Sequence, residues 1–315
     1  MVDLKGKELM DSNSERPIFI LSAGWRSGST LLQRVLCSHP DVMIWGENTA
    51  LLHDLAAAHK KMEALQDLSE AQKQQSGDKV HQGWIPMLNP GVEDFERGLR
   101  RLLESTYRDP ARRGGKARWG FKEVRHDMSS ARFLHRLYPE ARFLLLVRNP
   151  IDCLASARAT QKGDRGLLAQ AGGARAYVEH WTRLAGSYLD EGETAPGLLV
   201  RYESMIDDPD TWVRRIAEFL ELEYGDFDRG VFKKKLRGWK REPYLAEEDR
   251  ACLEDPALWE VASRLDYTPQ VVGFQSNGTP DDVATRASAR PRRGPVQTAY
   301  GRIAGALRRA IEIKK

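Results

Sequence analysis

Arg26, Ser27, Gly28, Ser29 and Thr30 set one guanidinium, three hydroxyls and a glycine in five consecutive positions. Residue types like these suit an anion. The run lies between an apolar β-branched stretch, Ile18 to Leu21, and an apolar helical pattern at Leu31, Leu32, Val35 and Leu36. A strand that enters a loop of small residues and opens directly into a helix aims backbone N–H groups and the positive end of the helix dipole at one point. Phosphate or sulfate oxygens fit there. The nucleoside-triphosphate pattern G-x-x-x-x-G-K-[ST] requires a lysine for the β/γ-phosphates. Here the aligned residues are Ala23, Gly28, Ser29 and Thr30, so serine replaces that lysine and the cation has moved upstream to Arg26. The substitution argues against ATP hydrolysis or kinase chemistry and keeps a site for a phosphorylated nucleotide. Taken alone, the stretch also passes for an ordinary strand-to-helix turn.

Further chemistry-bearing residues fall where strands are expected to end. Lys122 closes a short strand from Lys116, and Arg148 follows the strand Arg142 to Val147, whose last five residues are an unbroken apolar run. Ser156 lies two turns into the next helix, where with Arg148 it suits a second phosphate, and Tyr202 closes Gly197 to Tyr202 and offers a ring face to a base. Open α/β sheets bind ligands at the carboxyl ends of their strands. Each residue is a weak signal by itself, since an arginine after a strand is usually solvated. In this order they reinforce one another.

The elements that must hold them alternate. Strands at 18–21, 42–45, 116–122, 142–147 and 197–202 are separated by helical patterns, which predicts an α/β fold: a three-layer sandwich with a mainly parallel central sheet and a P-loop-like strand–loop–helix. Within the strand at 142–147, Phe143 to Val147 is apolar throughout, as for a strand covered on both faces. Asn149 suits an N-cap and Pro150 the first helical position. Helices are expected near 50–74, 93–107, 129–138, 174–189 and 209–222, and the segment 161–173, with four glycines, reads as a mobile loop. The division expected is a polar extension at 1–16, a main α/β domain at 17–266 and a basic tail at 267–315, loosely ordered from Tyr267 to Thr298.

Charge is unevenly spread. From Ser276 to Lys315 nine basic residues face three acidic ones, so the tail carries +6 of a net +4 and the body −2. A nucleic-acid-binding body would carry the excess itself, so no nucleic-acid partner is expected. Tyr300, Ile303, Ala304, Leu307 and Ile311 share one helical face in that tail. Such a helix docks on its own domain or a second copy, or makes peripheral contact with an anionic membrane. Cys37, Cys153 and Cys252 are widely spaced, as reduced thiols and not zinc ligands would be. With no apolar leader in 1–16 and no run long enough for a span, a cytoplasmic protein is expected.

Together the motifs resemble the sulfotransferases that use 3′-phosphoadenosine 5′-phosphosulfate. R-S-G-S-T-L-L at Arg26 to Leu32 is similar to their 5′-phosphosulfate loop, and L-V-R-N-P-I-D-C-L-A-S at Leu146 to Ser156 to their 3′-phosphate motif. V-R-Y-E followed by D-D-P, within Val200 to Pro209, resembles the segment whose tyrosine meets adenine. The likeness covers about 17–265, and R-S-G-S-T, H-P-D-V and G-E bring it nearest the bacterial and tyrosylprotein-type enzymes.

The resemblance implies sulfuryl transfer to a hydroxyl acceptor (saccharide, lipid, phenol or peptide tyrosine), with adenosine 3′,5′-bisphosphate as the other product and no metal. It implies a donor site from Arg26, Ser27, Gly28, Ser29, Thr30, Arg148, Ser156 and Tyr202, with Arg237 and Lys240 in a late basic loop whose match is loose, Gly238 standing where those enzymes carry lysine. Lys122 and Arg26 would offset charge on the leaving phosphate. Glu47 stands where the tyrosylprotein-type enzymes carry their catalytic base. The same carboxylate also suits the first turn of the helix near Thr49. Small-molecule sulfotransferases use a histidine two residues past a lysine, and Val124 holds that place here, leaving Glu123 and His126 as fallback bases. A catalytically inactive nucleotide-binding or scaffold protein on the same fold is the competing reading.

Overall fold

Five parallel strands in the order β2-β3-β1-β4-β5 form the centre of the computed structural model, which describes residues 16–48, 51–76, 79–83, 85–160, 166–233 and 245–269. In chain order, β1 (Ile18–Ser22) leads to α1 (Ser29–Cys37), β2 (Val42–Trp45), the long α2 (Leu51–Ser76) and α3 (Val92–Leu103). A single wide turn at Glu104–Arg108 then joins α3 to α4 (Asp109–Arg113). There follow β3 (Arg118–Glu123), α5 (Met128–Leu137), β4 (Arg142–Val147), α6 (Pro150–Ala159), α7 (Leu167–Ala171) and α8 (Ala174–Glu191). The remainder is β5 (Gly197–Arg201), α9 (Tyr202–Asp207), α10 (Pro209–Leu220), α11 (Glu247–Cys252) and α12 (Pro256–Ser263).

Alternation along the strands builds the layers. Phe19, Leu21, Trp119, Phe121, Phe143 and Leu145 face one side, where helices α5, α6, α8 and α12 bury them. Ile18, Ile20, Ile44, Leu144, Leu146 and Val200 face the other, against α1, α9 and α10. Both faces are therefore apolar and covered, as the apolar run in the strand at 142–147 predicted. A cluster of rings, Phe19 with Trp119, Phe121 and Phe143 at centroid separations of 6.1, 4.7 and 5.6 Å, comes from the three central strands β3, β1 and β4. Between Trp119 and Phe121 on β3, Gly120 lies so close to β1 that a β-carbon on it would fall 1.6 Å from the Ile18 carbonyl oxygen.

Because every pairing is parallel, the carboxyl ends of all five strands share one edge. β1 lies between β3 and β4, and the chain crosses from one side of it to the other after β3. The loop following β1 thus sits where the strand order reverses, the place at which open α/β sheets hold ligands.

Some boundaries differ from expectation. The segment 161–173 was expected as a loop, yet Leu167–Ala171 is a short helix whose Leu168 is buried. Tyr202 was expected to end a strand, and it is instead the first residue of α9. Tyr267 was expected to begin a loose segment but is buried in the body, where its hydroxyl donates to Glu203 Oε2 at 2.8 Å. The polar residues 1–15, the late basic loop with Arg237 and Lys240, and the tail from 270 lie outside the described residues.

Candidate functional site

The loop after β1 is built around three left-handed residues: Gly24, Arg26 and Gly28 have φ of 82°, 65° and 93°. For Arg26 that backbone is costly and needs holding in place. Its carbonyl oxygen accepts from Arg148 Nη1 at 3.0 Å, and its own Nε donates to Ser156 Oγ at 2.9 Å. The carbonyl of Trp25 accepts from the Tyr177 hydroxyl on α8. Arg148 and Ser156 were expected to act together; the structure also ties both to Arg26, so the first loop and the β4–α6 corner form one interlocked unit. Burial lowers the pKa of the Arg26 guanidinium, without approaching neutrality of a group so basic.

Gly28 caps α1 with no side chain engaging its first turn. The N-terminus of α1 is thereby left open to an anion. Ser29 begins the helix and is buried, while Thr30 is exposed. Ser27 is turned inward: its hydroxyl donates to the Gly24 carbonyl at 2.9 Å and pairs with Ser22 Oγ, so it shapes the loop instead of facing out from it. The ring of Tyr202 lies against Gly28, and the Arg148 guanidinium stacks over the same ring at 4.7 Å. Arg148 Nε is buried without a hydrogen-bond partner among the described residues, a donor still available to an acidic oxygen. These features fit a nucleotide bearing two separated acidic groups.

The corner after β4 follows its sequence signals. Asn149 Oδ1 accepts from the Ile151 N–H at 2.9 Å, and Pro150 occupies the first turn of α6. Glu203, next to Tyr202, accepts the Asn149 N–H at 2.9 Å as well as the Tyr267 hydroxyl. One carboxylate thus joins the β4 corner, the start of α9 and the last buried tyrosine.

Across β1 a second group assembles. Lys122 Nζ donates to Glu47 Oε1 at 2.6 Å, and Arg125 Nη2 lies 3.3 Å from Glu47 Oε2. Glu47 precedes α2 by four positions and is engaged with β3 and the residues after it, not with the first turn of the helix. Arg125 also stacks over Trp25 at 5.3 Å, and Trp25 packs on His180. Burial lowers the pKa of the His180 imidazole, whose Nε2 donates to the Val124 carbonyl at 3.1 Å. Glu123 is wholly buried, and burial pushes its carboxyl up to about 7 even though the Asn48 N–H and Arg125 both favour its charged form. His126 Nδ1 is 2.9 Å from Ser130 Oγ in the interior, which removes it as a base facing a bound acceptor.

Sequence reasoning did not single out Trp25 or Arg125. Trp25 adjoins the anion loop and Arg125 lies three positions past Lys122, so proximity to each motif was the available signal. Among the described residues no group of three or more His, Cys, Asp or Glu side chains is arranged to hold a metal, and no helix is long and apolar enough to cross a membrane.

The profile of the sulfotransferase family matches residues 17–226. Protein-tyrosine sulfotransferase 1 of Danio rerio is 25% identical over 221 residues, covering 68% of this chain and 56% of its own. Protein-tyrosine sulfotransferase A of Caenorhabditis elegans is 24% identical over 226 residues, covering 68% and 52%. The chain spans about half the length of these curated relatives. Among solved structures, the sulfotransferase domain from the Synechococcus PCC 7002 olefin synthase aligns with 80% of this chain and 95% of its own, at 20% identity and a TM-score of 0.45. The sulfotransferase domain from the curacin biosynthetic pathway aligns with 80% and 98%, at 16% identity and a TM-score of 0.48.

Proposed function

The chain belongs to the sulfotransferase family, and from that premise we propose that it transfers a sulfuryl group from 3′-phosphoadenosine 5′-phosphosulfate to a hydroxyl acceptor. The observation that carries the reading is the interlock of Arg26, Ser156 and Arg148 beside the open N-terminus of α1 and the ring of Tyr202. A nucleotide with acidic groups at both its 5′ and 3′ positions matches two cationic sites flanking one aromatic face.

The donor supplies an activated sulfuryl group, whose bond to the phosphate breaks as its bond to the acceptor oxygen forms. The residues supply position and charge, the main sources of rate in such in-line displacements. Gly28, Ser29 and Thr30 at the start of α1 take the 5′ end of the donor, Arg26 faces the same end, and Arg148 with Ser156 takes the 3′-phosphate. Tyr202 carries adenine, and Arg237 and Lys240 add charge on the 3′ side. Lys122, released from Glu47, offsets the charge that develops on the leaving phosphate. Glu47 then receives the acceptor's hydroxyl proton. The three free cysteines suit a reducing compartment such as the cytoplasm. The tail is the segment we propose for membrane contact.

The test has two arms. Calorimetry measures binding of adenosine 3′,5′-bisphosphate, and labelled sulfate is followed from the donor into 4-nitrophenol, a tyrosine peptide, N-acetylglucosamine and a sterol. The expected result is bisphosphate binding with transfer to one acceptor class, and a Glu47→Ala variant that binds equally well and transfers nothing. Absence of bisphosphate binding, or full transfer by Glu47→Ala, overturns the proposal. Binding with no transfer to any acceptor is the result expected of an inactive nucleotide-binding scaffold.

A further inference from the structure

β3 outruns its neighbour β2. The ladder between them ends at the pair Trp45 and Phe121, while β3 continues through Lys122 and Glu123 alongside β1. Gly46, Glu47 and Asn48 therefore leave the sheet edge without ladder bonds to hold them. A side chain takes over. Glu123 Oε1 accepts the backbone N–H of Asn48 at 2.6 Å, the peptide that immediately follows Glu47. Glu123 Oε2 lies 3.7 Å from Arg125 Nη1, and the same guanidinium reaches Glu47 Oε2 through Nη2.

A wholly buried carboxylate is expensive for a fold to keep, and this one is bonded to the segment that carries Glu47. We infer that Glu123 is the positioning residue of Glu47: it anchors the Asn48 peptide and shares Arg125, so that the Glu47 carboxylate is presented beside Lys122. The inference rests on the proposed role of Glu47 as base. Without the anchor, the three residues after β2 are free to rotate and the carboxylate leaves its place. Displacements of about 1 Å in a reacting group cost roughly a hundredfold in rate.

Two substitutions separate anchoring from bulk. Glu123→Met keeps the length and removes the acceptor, while Glu123→Gln keeps an oxygen for the Asn48 N–H. In Glu123→Met the Asn48 amide is expected to exchange with solvent roughly ten- to a hundredfold faster, as loss of a hydrogen bond to a charged group implies. The turnover number is expected to fall by a similar factor, with the bisphosphate dissociation constant within about twofold of the parent. Glu123→Gln is expected to restore both. A Glu123→Met chain with unchanged turnover, or with Asn48 exchanging as in the parent, overturns the inference. If that variant does not fold, Asn48→Pro removes the donor instead, and the same loss of turnover at constant bisphosphate affinity is required of it. Full transfer by Glu47→Ala rejects the proposed function itself, whereas an inactive Glu47→Ala beside an indifferent Glu123→Met rejects this inference alone. The exchange measurement reads the anchor without any turnover.

Discussion

A β-carbon on Gly28 would stand 2.1 Å from Cδ2 and 2.4 Å from Cε2 of Tyr202. The glycine at the start of α1 and the aromatic ring at the start of α9 are therefore one packed contact. Gly28 also holds φ at 93°, which a residue with a side chain adopts only under strain. Gly28→Ala is expected to cost about 1–3 kcal/mol of stability and to push the Tyr202 ring off its stack with Arg148. Calorimetry should then show bisphosphate affinity weakened by roughly tenfold or more, the loss of one aromatic contact with the base. Unchanged affinity would show that this ring does not carry the nucleotide.

The role proposed for Arg148 predicts a difference between two nucleotides. Its Nη1 fixes the Arg26 carbonyl and its Nε is a buried donor with no partner among the described residues. If that guanidinium meets the 3′-phosphate, Arg148→Met should weaken adenosine 3′,5′-bisphosphate by about ten- to a hundredfold, the usual value of a hydrogen bond to a charged group. Adenosine 5′-monophosphate lacks the 3′-phosphate and should lose much less. Equal losses for both nucleotides would assign Arg148 to shaping the loop and not to reading the phosphate.

The contrast between these residues explains what the sequence made legible. The strand at Ile18–Ser22, the Asn149 cap and the two-faced burial of Phe143 through Val147 follow from local pattern, because alternation and capping depend on neighbours in the chain. Arg26 and Ser156 are 130 positions apart, and Asn48 and Glu123 75, so their bonds exist only once the order β2-β3-β1-β4-β5 is set. That order carries no local signal. Glu123 was visible as a carboxylate near Lys122, but its complete burial and its bond to the Asn48 peptide depend on tertiary packing that no spacing reports. Tyr202 shows the intermediate case: its place at the carboxyl edge was legible, and its switch from strand to helix was not.

Glu123 gives a pH signature. Its carboxyl titrates at about 7 in the folded chain against an ordinary 4.5, burial being the main cause. Lys122, Arg125, Glu47 and His126 face it, and Arg125 at 3.7 Å and His126 Nε2 at 3.9 Å are too far for a hydrogen bond. Between those two values the folded state holds the proton that the unfolded state has released, so this group's contribution to stability falls as pH rises from about 4.5 to 7. Glu123→Gln cannot ionise and escapes the loss. Its stability relative to the parent should therefore rise by about 1–3 kcal/mol between pH 4.5 and pH 8 in denaturant unfolding. A difference that is flat with pH would place the titration of this carboxyl elsewhere.

Arg158 and Asp249 test how the helix that bears Ser156 is held. Arg158, on α6, donates through Nε to Asp249 Oδ2 at 2.8 Å and through Nη2 to Asp249 Oδ1 and to Glu248 on α11. Asp249 is fully buried and also accepts the Ala246 N–H at 3.0 Å, which closes the first turn of α11. Removing the cation alone leaves a buried carboxylate with a single remaining donor, an arrangement that costs about 3–5 kcal/mol. Arg158→Met is expected to lower stability by that amount in chemical denaturation. Replacing both members with apolar residues, as in Arg158→Met with Asp249→Leu, should recover a large part of the loss, because the desolvated charge disappears with its partner. Asp249→Asn keeps an oxygen for the Ala246 N–H and an acceptor for Arg158, so it should cost less than Arg158→Met. If Arg158→Met is as stable as the parent, the pair is not what fastens α11 to α6, and the apolar contacts of α8 with α11 and α12 hold that side of the body without it.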